Sequence, residues 1–249
     1  MLKYIHADLH RIYRRVPRYI VMAVFYLSML GYLLHGISAK HLNQIGVVDA
    51  CGSIYVIAVL LFGILEMFSV FADDFRAKTM QIAIGGGVSR PCIVLAKLLE
   101  FVALALGDLA FLALGMIVCS AATGNPLQGA QIYQVLIYIF GHLMNMLIPL
   151  ALSMIPMFYT QSTGLSVIFY LLFFIDPLAR VIEFIFPTNE IVLRLHLNEI
   201  PFSALVGVVN TQLGLQASFP LGQILGLFAY VAAAYLLAVL AFRNRELEF

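Results

Sequence analysis

Charge is scarce in this chain of 249 residues: Asp, Glu, Lys and Arg make up 11% of it, against a hydrophobic share of 63%. Soluble domains carry roughly 25% charged and 45–50% apolar residues. The composition, with a mean hydropathy of +0.99, therefore excludes an ordinary water-soluble fold. Cysteine is scarce as well, and its odd count of 3 gives no disulfide framework. Cys51 and Cys119 fall near the outer ends of two apolar runs; a bridge there is geometrically open, and two membrane-embedded thiols are the simpler reading. The sequence marks of catalysis are missing altogether. There is no G-x-x-x-x-G-K-[ST] phosphate loop, since Gly85-Gly86-Gly87 lacks both the lysine and a preceding strand. There is no H-E-x-x-H and no G-x-S-x-G. No residue is assigned a catalytic role, and no cofactor is expected on this chain.

What is present is a set of long apolar runs set between patches of charge. Lys3, Arg11, Arg14, Arg15 and Arg18 form one basic patch; Arg76, Lys78, Arg90 and Lys97 a second; Arg243 and Arg245 a third. Only Lys40, Arg180 and Arg194 fall elsewhere. Lys and Arg are held on the cytoplasmic side of a bilayer, and a span needs ~20 apolar residues to cross ~30 Å of hydrocarbon. The pattern predicts an all-α polytopic protein of a bacterial plasma membrane, with both termini cytoplasmic and one domain over 1–249. Its six spans are expected at 19–37, 50–72, 92–122, 132–158, 164–185 and 221–242. The first of these runs exceeds the ~7–15 residues of a signal-peptide core, so it reads as an uncleaved span. The net charge of +1 says nothing of nucleic acid, because topology accounts for the basic residues; no nucleic-acid partner is expected.

Three segments flank these spans. In residues 1–18, Leu2, Ile5, Leu9, Ile12 and Val16 recur at helical spacing, with Lys3, His6, Asp8, His10, Arg11, Arg14 and Arg15 on the other faces. That is an amphipathic helix suited to the lipid headgroup layer. His6 and His10 stand four apart but have no third ligand beside them, so no metal site is assigned. Residues 176–220 are half apolar, carry Asp176, Glu183, Glu190 and Glu199, and are broken by Pro177, Pro187 and Pro201. Short re-entrant helices in the outer leaflet fit this composition. In the last span Gly222, Gly226, Tyr230 and Ala234 repeat every fourth residue, a face for close helix packing; Ser28 and Gly31 offer another on the first. Either face would suit a second copy of the chain or a paralogue.

Ionisable groups inside spans are costly and face the bundle interior. Glu66 lies near the cytoplasmic end of its span. Asp108 lies about 16 Å beyond Lys97 at ~1.5 Å per residue, close to mid-bilayer. In the fourth span Gln134, Tyr138, His142, Asn145, Pro149, Ser153 and Pro156 share one face, which must meet protein or water. Glu66, Asp108, His142 and Asn145 are the candidates for a transport path. For Asp108 that role stands level with a structural carboxyl bonded to His142 or Asn145; for Glu66 the structural reading leads. Lys97 and Glu100, three apart, read as a local pair.

The loop after the second span reads as a short helix over 74–84, with Phe75, Met80 and Ile82 among Arg76 and Lys78, stopped by Gly85-Gly86-Gly87. Asp73 or Asp74, Thr79, Gly85, Ser89, Arg90 and Lys97, together with the basic start and the six-span layout, resemble the membrane-spanning subunit of type-2 ABC exporters. The glycine triplet, and an aspartate where that family usually has glutamate, depart from its pattern. The resemblance implies that 74–84 is a coupling helix. Asp74, Phe75, Arg76, Thr79, Met80, Gly85, Ser89 and Arg90 would dock on a cytoplasmic ABC ATPase subunit, which would hold the ATP and Mg. It also implies a second permease subunit, the same chain or a paralogue. The sparse charge of the interior suggests an amphipathic or hydrophobic cargo such as a peptide. The alternative is an ion-coupled secondary transporter or channel using Asp108 and His142; it predicts inverted repeats, and none is visible in the sequence.

Overall fold

Apolar runs removed from water must pair their own backbone groups, and a helix does so within one segment. The computed structural model describes residues 2–14, 16–38, 44–76, 79–122, 126–185, 200–215 and 219–243. Every element among the described residues is a helix: α1 (Leu2–Tyr13), α2 (Val16–Ser38), α3 (Gln44–Arg76), α4 (Thr79–Gly85), α5 (Arg90–Ala122), α6 (Gly129–Thr160), α7 (Thr163–Phe174), α8 (Pro177–Ile185), α9 (Phe202–Gly214) and α10 (Leu221–Arg243). Among the described residues, three helices are long and apolar enough to cross a membrane: Arg90–Val118 of α5, all of α6 and all of α10. Shorter apolar stretches are Val56–Phe71 within α3 and the whole of α7.

The centre of the bundle is α6, which touches α3, α5, α7, α9 and α10. Its second half, from Met146 to Met154, is buried at almost every position. Pro149 and Pro156 lie inside it and have no N–H to offer the carbonyls of Asn145 and Leu152. The helix ends at Gln161, whose left-handed φ of 56° lets its N–H reach the Met157 carbonyl at 2.8 Å. Ser162 then caps α7 by accepting from the Leu165 N–H at 3.4 Å. The contact of α7 with α3 is set by Gly63 and Tyr170. The Tyr170 hydroxyl donates to the Val59 carbonyl at 2.8 Å, and a Cβ at Gly63 would stand 1.9 Å from that hydroxyl.

Several expected boundaries move. The segment 74–84 is not one helix: Asp74 to Arg76 are the last turn of α3, and α4 begins at Thr79. The glycine stop is where the sequence puts it. Gly87 has φ +87°, the Gly87 N–H reaches the Ile84 carbonyl at 2.9 Å, and the Val88 N–H reaches that of Ala83 at 3.0 Å. This is the paired bonding of a left-handed helix end. The run expected at 164–185 breaks at Asp176, which has φ 51°, a conformation an Asp tolerates better than most residues. By length α7 covers only about 18 Å at ~1.5 Å per residue.

The N-terminal helix also differs from the expectation of a lipid-seated helix with all its charges turned outward. Ile5 and Ile12 are buried against the protein, and Asp8 is buried with them, because α1 packs on α5 and α3. Farther along the chain α9 lies on α6 and α10, burying Phe202, Val206 and Val209. There Gly226 faces Leu205 of the same chain, its would-be Cβ 3.3 Å from Leu205 Cδ1. Part of the small-residue face expected for a second subunit is thus used internally, whereas Gly31 and Gly222 meet nothing within 4 Å. Lys40, Lys78, Glu190, Arg194, Glu199, Pro187 and Arg245 lie outside the described residues, as do the side chains of Cys51, Phe75, Arg76, Cys119 and Glu183.

Candidate functional site

Among the described residues, two places gather polar side chains inside this apolar bundle. The first is an ionic cluster where α1, α3, α4 and α5 meet. Lys97 is fully buried on the second turn of α5, and its Nζ contacts Asp8 Oδ2, Asp74 Oδ2 and, at 3.0 Å, Glu100 Oε2. Arg11 closes the cluster from α1: its Nη2 lies 2.9 Å from Asp8 Oδ1 and 2.8 Å from Asp74 Oδ1. The Thr79 hydroxyl donates to Asp74 Oδ1 at 2.6 Å, tying the first residue of α4 to the end of α3. Two cations and three carboxylates are held together. In a low-dielectric interior such charges persist only when paired and hydrogen bonded.

Beside this cluster runs a row of rings. Phe71 of α3 lies 5.5 Å from Phe101 of α5 and 5.7 Å from Phe158 of α6, and Phe158 lies 4.7 Å from Phe242 of α10. The Arg90 guanidinium sits 5.4 Å above the Phe242 ring and donates to the Phe242 and Arg243 carbonyls at 2.9 and 2.7 Å. These are helix-end carbonyls without intrahelical partners. Charge cluster and ring row together join six helices at one end of the bundle.

The second place lies toward the other end, where α7 breaks. A cavity of about 190 Å³ opens between α3, α6, α7 and α9. Val56, Val59, Phe174 and Phe202 give it apolar and aromatic walls, and His142, Asn145 and Ser203 its polar atoms. Asp176 fixes this corner. Its Oδ2 accepts from the Ser203 N–H at 3.0 Å and from the Ser203 hydroxyl at 2.6 Å, and its Oδ1 accepts from the Ala179 N–H at 3.4 Å. One buried carboxylate thus caps the first turns of both α8 and α9, satisfying donors that a helix start leaves open. The Tyr230 hydroxyl holds the approach to α9 through the Ile200 carbonyl at 2.6 Å.

Of the expected transport-path residues, His142 and Asn145 come together in this cavity. Glu66 and Asp108 are buried and are not among its lining residues. Of the expected docking residues, Asp74 is buried within the charge cluster, Thr79 is bonded to it, and Arg90 is spent on the end of α10. Met80, read as an exposed apolar knob, is fully buried in the core, because α4 folds back on α3. The exposed apolar residue of this helix is Ile82, at 71%; Gly85 and Ser89 are exposed beside it. The Lys97–Glu100 pair is present, but Lys97 serves Asp8 and Asp74 as well.

The sequence reading missed Asp8, Arg11, Asp176, Ser203, Phe174 and Phe202 as site residues. For Asp8 a signal existed: it stands three after Ile5 and four before Ile12, on the apolar stripe and not on the polar face. Compared with known proteins, the chain matches no family model and no curated sequence.

Proposed function

We propose that this chain is the permease subunit of an ATP-driven exporter of the type-2 ABC kind. It would be a six-span protein of the bacterial plasma membrane that moves an amphipathic or hydrophobic compound outward, paired with a second permease subunit and driven by a separate ATPase. The observation that carries this reading is the charge cluster. Through Asp74 and Thr79 it fastens the segment around α4 to α1 and α5 at once. Parting buried ion pairs is costly, so a force applied at α4 is passed to α5 and α1 and not absorbed in a slack loop. The ring row from Phe101 to Phe242 offers the same force a route into α6 and α10. A transporter that borrows its energy needs such a stiff path from partner to spans.

The docking face is the outer side of α4, with Ile82 as its apolar anchor and the Gly85–Gly87 turn and Ser89 around it. A few buried anchors supply most of the binding energy at such interfaces. Purified alone, the chain hydrolyses no ATP under this reading. Reconstituted with its partner ATPase, cargo-dependent hydrolysis appears, and Ile82→Asp abolishes the coupling while the spans still insert. An Ile82→Asp variant that assembles with the ATPase and transports normally would sink the docking assignment. Transport that follows an ion gradient with no ATPase present would replace it with the ion-coupled reading through Asp108 and His142.

A further inference from the structure

We propose that the cavity between α3, α6, α7 and α9 seats a small uncharged aromatic group bearing one hydrogen-bonding atom. Phe174 and Phe202 hold the ring, and the Asn145 amide holds that atom. The inference starts from Asn145. It stands midway along α6 and lines the cavity, and among the described residues its side-chain amide has no hydrogen-bond partner in the protein. Its backbone is short of a partner too, because Pro149, one turn on, has no N–H to close the helical bond to the Asn145 carbonyl. The half-buried amide therefore keeps its hydrogen-bonding capacity for whatever enters the cavity.

The walls limit what that partner is. Among the described residues no charged side chain lines the cavity, and the one carboxylate beside it, Asp176, is occupied by Ser203 and Ala179. Among these residues an ion would find no free counter-charge. Val56 and Val59 line it with apolar groups and Phe174 and Phe202 with aromatic rings, which favour stacking or edge contact with another ring. The volume, about 190 Å³, matches about six waters at ~30 Å³ each. It falls below the ~300–1,000 Å³ of sites that enclose a whole drug-sized ligand. One ring fits and a complete amphipath does not. On the permease reading, on which only this role rests, the cavity takes the aromatic end of the cargo, such as a tyrosyl or indolyl side chain of a peptide.

Indole is a suitable probe, carrying one ring system and one N–H. The chain has no tryptophan, so indole excited beyond the tyrosine absorption edge emits without background from the protein. Binding is measured on the full chain in lipid nanodiscs, with empty nanodiscs to subtract partition into lipid, and with neither ATPase nor transport involved. Failure of the exporter reading and failure of this site are therefore read separately. The wild type should show a saturable, blue-shifted component. Asn145→Leu, which removes the amide at similar volume, should weaken it by about tenfold. Val56→Phe, which fills the cavity from a half-exposed position and keeps the test open should the first variant fail to fold, should abolish it. A wild-type signal no greater than that of empty nanodiscs overturns the proposal. So does undiminished binding to a folded Asn145→Leu or to Val56→Phe.

Discussion

Lys97 and Asp8 stand 89 residues apart and are joined by a buried hydrogen bond from the ammonium to Oδ2 of the carboxylate. The contact makes α1 a structural part of the bundle, because the same ammonium also holds Asp74 and Glu100. Removing it takes the cation from Glu100 and leaves Asp8 and Asp74 to share Arg11. Breaking a buried ion pair from one side costs ~3–5 kcal/mol, so Lys97→Met should lower thermal stability in detergent sharply and reduce the amount in the membrane. Asp8→Asn should be milder, since the amide still accepts from Lys97. A Lys97→Met protein that melts like the wild type would show that the cluster contributes nothing to holding these helices.

The contact of α7 with α3 depends on a missing side chain. Gly63→Ala would put a Cβ 2.2 Å from Tyr170 Cζ as well as against its hydroxyl, so the ring must leave and its bond to Val59 is lost. Overpacking of this kind costs ~1–3 kcal/mol. Tyr170→Phe loses only the hydrogen bond, about 1 kcal/mol. Thermal melts should therefore rank the wild type above Tyr170→Phe, and Tyr170→Phe above Gly63→Ala. The reverse order would mean that α7 does not lie in this groove.

At the end of α10, Arg90 accounts for two carbonyls and one ring face. Arg90→Ala should fray the last turn of α10, raising amide hydrogen exchange around Val239–Arg243 and leaving the middle of α6 protected. Arg90→Lys keeps the charge but not the planar fork, and should restore part of the protection. Unchanged exchange in both variants would leave Arg90 free for the docking role that the sequence pattern suggests.

What the sequence disclosed, and what it hid, follows from the range of each interaction. Helices α5, α6 and α10 were legible because hydrophobic length is a local property, and the stop at Gly87 because a left-handed turn favours glycine. The break of α7 at Asp176-Pro177 was visible as an interruption, though not the double cap that Asp176 provides. The partners of Lys97 were hidden, since an i,i+3 neighbour such as Glu100 can be read from spacing while Asp8 and Asp74 arrive only through tertiary packing. Met80 misled for the same reason: on a short helix of mixed character, periodicity does not say which side folds back on the bundle. Of the cavity only His142 and Asn145, on the polar face of α6, could be read; its other walls come from three more helices and arrive through tertiary packing.

Two exposed positions at opposite ends of the bundle report the topology. Gln128 begins α6 at the end of the bundle opposite the charge cluster, and Ile82 stands exposed on α4 at the cluster end. If the basic residues around Arg90 and Lys97 are cytoplasmic, as positive-inside bias requires, these two positions lie on opposite sides of the membrane. In a background with Cys51, Cys92 and Cys119 replaced by serine, an impermeant maleimide added to intact cells should label Gln128→Cys and spare Ile82→Cys. Permeabilised cells should label both. Labelling of Ile82→Cys from outside would invert the orientation and place α4 where no cytoplasmic ATPase can reach it. Labelling of both from outside would remove the membrane crossing between them, and with it the six-span arrangement.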